Sequence, residues 1–74
     1  MEQKNKRFSK KEEKAWELTR LWYVIISRTS NAFIAMSPKQ EDEWERTFTA
    51  NTIKKYTEKQ IDEEIVKARA IVNR

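Results

Sequence analysis

The chain has 74 residues and a net charge of +4, and it contains no histidine, cysteine or glycine. Without histidine and cysteine, disulfide bonds, zinc sites built on these ligands and nucleophilic triads are excluded. Without glycine, phosphate-cradling loops are excluded and the tight turns of hairpins are disfavoured. The sequence therefore predicts a small all-α domain that is not an enzyme, binds no metal, cofactor or small-molecule substrate, and is short enough that self-association would help to stabilise it.

The amino-terminal segment is basic, and residues 1–8 show no apolar periodicity. We predict that they form a flexible basic arm. The longest apolar run in the chain, at 21–26, has six residues, which is too short to span a bilayer or to form the core of a signal peptide. No membrane segment is predicted, and the absence of cysteine favours a cytoplasmic location.

The first predicted helix covers residues 10–36. It starts behind Ser9, and Glu12 three residues later completes a capping box. Its weak point is the polar stretch 27–31, whose side chains offer the backbone competing hydrogen bonds, so a break there is the alternative to a continuous helix. A strand at 21–27 is a second alternative, but it has no partner strand. Helical spacing places one apolar stripe along this helix, made of Ala15, Leu18, Trp22, Ile25, Ile26, Thr29, Phe33 and Met36.

The second predicted helix covers residues 38–55. Ser37 caps it, Pro38 occupies the first helical position and Gln40 completes the capping box. Four carboxylates follow, and we interpret them as solvated groups that complement the helix dipole rather than as an acid/base or magnesium site: Glu41, Asp42, Glu43 and Glu45. Because the segment 47–52 is a poor helix former, an alternative is that the helix ends near Phe48 and that Thr49 caps another.

The third predicted helix covers residues 58–73 and has the fullest start signal. Thr57 and Gln60 form its capping box, and Tyr56 and Ile61 occupy the positions of a hydrophobic staple. Its apolar stripe is narrow: Ile61, Ile65, Ala68 and Val72. Short connections predict that consecutive helices are antiparallel neighbours, which gives a three-helix domain with one long helix and two shorter ones.

One flank of the first helix carries an aromatic and arginine composition that is typical of protein interfaces. We predict that this flank binds another protein or a second copy of the chain, with burial under another helix as the structural alternative. Its members are Trp16, Arg20, Tyr23, Ser27 and Ile34. A role as a helix on a membrane surface is disfavoured by the polar stretch 27–31.

The alternative function is nucleic-acid binding through phosphate contacts. The basic side chains at the amino terminus would make these contacts, and they are Lys4, Lys6, Arg7, Lys10, Lys11 and Lys14. Phe8 lies among them and would stack on a base or insert in a groove. The last helix adds Lys67, Arg69 and Arg74, and clustering of the two groups on one face would favour this function. Residues 50–56 resemble the start of a recognition helix only superficially.

Overall fold

The structure, a computed structural model, describes residues 9–74, which form helices joined by short connections and contain no strand. The prediction of an all-α protein is confirmed, but four helices replace the three predicted ones. They are α1 (Lys10–Thr29), α2 (Asn31–Ile34), α3 (Pro38–Lys55) and α4 (Glu58–Val72). The predicted basic arm, residues 1–8, lies outside the described residues. None of the helices within residues 9–74 has the length and apolar character needed to cross a membrane.

The predicted capping boxes begin the three long helices. At Ser9, Ser37 and Thr57 the side-chain oxygen accepts a hydrogen bond from the backbone N–H three residues later, over 3.2 Å. The side-chain oxygen of the Glu or Gln at that position accepts a hydrogen bond from the backbone N–H of the cap residue over 2.9 Å. Each box therefore satisfies two of the backbone donors that a helix start leaves without partners.

The prediction of a continuous helix over residues 10–36 is wrong, because the helix is interrupted at Ser30. This residue has extended backbone angles, φ −131° and ψ 114°, and its hydroxyl caps α2 by accepting the N–H of Phe33 over 3.2 Å. Just before the break, the Thr29 hydroxyl donates to the Ile26 carbonyl over 3.2 Å. Hydroxyl groups thus compete with the helical ladder here, which is the mechanism that made this stretch the weak point.

The threonine-rich part of α3 stays helical through Lys55, as the predicted bounds 38–55 require. Thr49 and Thr52 are buried, and each hydroxyl donates to the carbonyl four residues earlier over 2.8 Å. Burial and these internal bonds compensate for the low helix propensity of threonine.

Helix α1 is the element against which the other long helices pack. It runs antiparallel to α3, since Thr19 meets Thr49 while Tyr23, further along, meets Trp44. It runs parallel to α4, since Lys14 contacts Glu58 near the start of that helix and Arg28 contacts its last residue. Within residues 9–74 the backbones of α3 and α4 come close to each other at few points, if any.

Two apolar clusters fill the interfaces. The first lies between α1 and α4 and consists of buried Ala15, Leu18, Ile61, Ile65 and Ala68. The second is a chain of aromatic rings that joins α1, α2 and α3. It consists of Tyr23, Phe33, Trp44 and Phe48, and the centroids of contacting rings are 4.9 to 6.0 Å apart. Phe48 also packs against the first cluster, so the two are continuous. Thr29, predicted on the apolar stripe, is exposed instead because the helix ends there.

Candidate functional site

Helix α3 covers part of the predicted interface flank, because it packs against one of the five residues, Tyr23. The Tyr23 ring makes edge contacts with Phe33, 5.0 Å between centroids, and with Trp44, 6.0 Å. Tyr23 is therefore half-buried and held by rings from two other helices. Edge-to-face contacts of this kind stabilise beyond the area they bury, so the orientation of the phenol is fixed by its neighbours.

Beside Tyr23 an open groove of about 350 Å³ runs between α1 and α3. We call it the α1–α3 groove, and its lining residues are Arg20, Tyr23, Val24, Glu41 and Glu45. Arg20 and Val24 are exposed, whereas the two glutamates are half-buried. Arg20 makes no ion pair with a carboxylate of residues 9–74. The groove thus presents a guanidinium, two carboxylates, a phenol and an aliphatic side chain to an incoming molecule.

The two glutamates shift the titration of the phenol in this groove. The Glu41 carboxylate beside the phenol raises the pKa of Tyr23 above its ordinary value, with burial and the negative charge of Glu45 acting in the same direction. Each of these effects disfavours a phenolate. Tyr23 therefore stays protonated to a higher pH than an ordinary tyrosine.

The other predicted interface residues lie outside the groove. Trp16 is half-buried further towards the start of α1, and the Ser27 hydroxyl donates to the Val24 carbonyl over 2.8 Å. Ile34, on α2, is 62% exposed. Of the five predicted residues, the structure brings Arg20 and Tyr23 together in one groove. Sequence reasoning missed Val24 because its outward-facing position resembles that of any isolated surface aliphatic residue.

The basic residues of α1 and α4 do not form one face. Lys10 is exposed and Lys11 half-buried, but Lys14 lies between Glu58 and Asp62, at 2.9 and 3.0 Å. Hydrogen bonds to these two carboxylates raise the pKa of Lys14 above its ordinary value.

On α4, Lys67 pairs with Glu64 over 3.5 Å and Arg69 pairs with Glu17. Because α1 and α4 are parallel, Lys67, Arg69 and Arg74 lie towards the opposite end of the bundle from Lys10. The clustering that would favour the alternative function is therefore absent among residues 9–74. Lys4, Lys6 and Arg7 lie outside the described residues.

A second groove, of about 240 Å³, lies along the last turns of α3. We call it the α3 groove, and its lining residues are Phe48, Asn51, Thr52, Lys55 and Tyr56. Asn51, Thr52 and Lys55 lie three, four and seven residues after Phe48, which is the spacing of one helical face, and Tyr56 follows Lys55. That mixed aromatic and polar face is the sequence signal that could have revealed the groove.

No group of three or more Asp, Glu, His or Cys side chains in residues 9–74 could hold a metal ion. Comparison of the chain with protein-family models, curated proteins and solved structures gives no significant match.

Proposed function

We propose that the protein is a small non-enzymatic binding module that docks on another protein, or on a second copy of itself, through the α1–α3 groove. The observation that carries this proposal is that an aromatic ring held in place by its neighbours lines the same groove as an exposed arginine. Tyr23 is held by Phe33 and Trp44, and it lines the same groove as exposed Arg20. Tyrosine and arginine are enriched among residues that dominate binding energy.

Preorganisation supports the same function. A side chain whose rotamer is already fixed in the free protein loses little conformational freedom on binding, so more of its contact energy appears as affinity. Val24, 36% exposed, adds apolar area at the groove. Ile34, the member of the predicted flank on α2, exposes 62% of its surface and is a second exposed apolar side chain.

Self-association can be tested directly by light scattering after gel filtration over a range of protein concentrations. Val24→Asp places a charge in the groove, and we expect it to weaken association by roughly thirtyfold, the loss of one strong contact. Val66→Asp is the matched control, because Val66 is 67% exposed on α4 and lies outside the groove. Arg20→Ala should weaken association in the same direction as Val24→Asp.

If the protein is monomeric at every concentration, the partner is a different protein. A partner identified by cross-linking should then lose affinity for Val24→Asp and keep it for Val66→Asp. Equal effects of the two aspartate substitutions would show that the α1–α3 groove is not the binding site.

A further inference from the structure

A second binding site is indicated by the α3 groove and by the charge around it. Phe48 and Tyr56 supply two aromatic rings, and Tyr56 is 37% exposed. Asn51 supplies an exposed amide and Lys55 an exposed ammonium group. The Thr52 hydroxyl is already bonded to the Phe48 carbonyl over 2.8 Å, so it fixes the groove wall rather than offering a free donor.

The topology gathers further lysines at the end of the bundle where this groove lies. The Thr19 and Thr49 contact sets the register of two antiparallel helices, so the start of α1 lies near the end of α3. The bond from Lys14 to Glu58 brings the start of α4 to the same end. We call this region the lysine end, and its members are Lys10, Lys11, Lys54, Lys55 and Lys59.

None of these five lysines makes an ion pair with a described carboxylate, whereas four of the other eight cations of residues 9–74 do. Lys14, Arg46, Lys67 and Arg69 are all paired. Four carboxylates lie at the same end: Glu12 and Glu13 at the start of α1, and Glu58 and Asp62, which both contact Lys14. With Lys14 counted among six lysines, this end of the bundle keeps a net charge of +2 among the described residues.

We propose that the α3 groove and the lysine end bind single-stranded nucleic acid, with one base stacked against the exposed Tyr56 ring and the flanking phosphates on the lysines. Aromatic rings within a positively charged groove are the arrangement by which proteins hold unpaired strands, since every base offers a flat face. A duplex keeps its bases stacked internally and gains nothing from Tyr56. An acidic peptide would satisfy the lysines but leave the rings without a stacking partner.

This site is separate from the α1–α3 groove, so it does not rest on the function proposed above. Fluorescence polarisation of a labelled oligothymidylate of about 12 nucleotides tests it, with a duplex of equal length as competitor. We expect binding of the single strand at tens of micromolar or better at low salt, and weak competition by the duplex. Tyr56→Leu, which keeps apolar volume but loses the ring, should weaken binding roughly tenfold, whereas Tyr56→Phe should retain it.

Charge variants separate a defined site from general attraction. The double variant Lys54→Gln, Lys55→Gln should reduce the slope of log affinity against log salt by about 1.4, the value for two phosphate contacts on a single strand. Lys39→Gln, Lys67→Gln removes the same charge elsewhere and should leave the slope nearly unchanged. Val24→Asp should affect the oligonucleotide little, which separates this site from the α1–α3 groove.

Three results would overturn the proposal: no binding of the single strand, equal loss in both lysine double variants, or undiminished affinity of Tyr56→Leu. Far-ultraviolet circular dichroism tests whether each variant is folded. If Tyr56→Leu is unfolded, the ratio of single-strand to duplex affinity in the natural protein decides, since a ratio near one contradicts base stacking.

Discussion

The contact between the hydroxyl groups of Thr19 and Thr49 offers a direct test of how α1 is held against α3. Both side chains are buried, and their oxygens lie 2.7 Å apart. Each hydroxyl also lies 2.8 Å from the carbonyl four residues earlier in its own helix. Two hydroxyl protons cannot serve three such contacts. One hydroxyl must therefore donate across the interface while the other donates within its helix.

Valine has the shape of threonine without the hydroxyl, so it isolates this hydrogen bond. In Thr19→Val, the Thr49 hydroxyl still donates to its own helix, and we expect the free energy of unfolding to fall by about 1 kcal/mol. Thr49→Val should cost a similar amount. The double variant removes both partners at once and leaves no donor unsatisfied, so its cost should be close to that of one substitution rather than two.

Urea unfolding followed by circular dichroism measures the four proteins of this cycle. Against a total stability of roughly 3 to 5 kcal/mol for a domain of this size, a change of 1 kcal/mol is readily resolved. Thr47→Val, on the exposed side of α3, is the control and should change stability by no more than about 0.5 kcal/mol. Additive costs, with the double variant about 2 kcal/mol less stable, would refute the shared-proton reasoning.

Three further predictions concern the aromatic residues. Phe33→Ala should lower the free energy of unfolding by about 3 kcal/mol or more, measured by urea unfolding, because the ring is buried between two others. The pKa of Tyr23 is raised in the folded state. The contribution of this residue to the free energy of unfolding is therefore complete below about pH 10 and is lost as pH rises through the folded-state pKa. The stability gap between the natural protein and Tyr23→Phe should therefore narrow in alkaline urea titrations, and a constant gap would contradict this. Trp22→Ala should destabilise the fold more than Trp16→Ala in the same assay, because Trp22 packs against the buried cluster; equal costs would contradict that difference.

Helix starts were predictable because their signals are local. The capping boxes at Ser9, Ser37 and Thr57 span three residues, so no distant contact is needed to form them. The break at Ser30 was visible only as a weak point. Whether hydroxyl groups or the helical ladder prevail there depends on what Phe33 gains by turning onto Tyr23, and that contact is tertiary.

The candidate site was predictable on one side only. Helical spacing places Arg20 and Tyr23 on the same flank, but it does not show which flank another helix covers. The dipole argument accounts for Glu41 and Glu45 at the start of α3, yet it does not predict that they line a groove with Arg20. The proximity of these glutamates to Arg20 follows from the antiparallel packing of α1 and α3. The short connections in the sequence suggest this packing but do not fix its register.

The central place of α1 has a consequence for how the protein opens. The contacts of α1 with α4 join residues 44 to 52 positions apart, and its hydroxyl contact with α3 spans 30. If α4 detaches, α1 remains packed on α3, and if α3 detaches, it remains packed on α4. Since α3 and α4 have little backbone contact with each other, neither has this second support. We therefore expect the amide protons in the middle of α1 to exchange with deuterium last, only when the whole molecule unfolds.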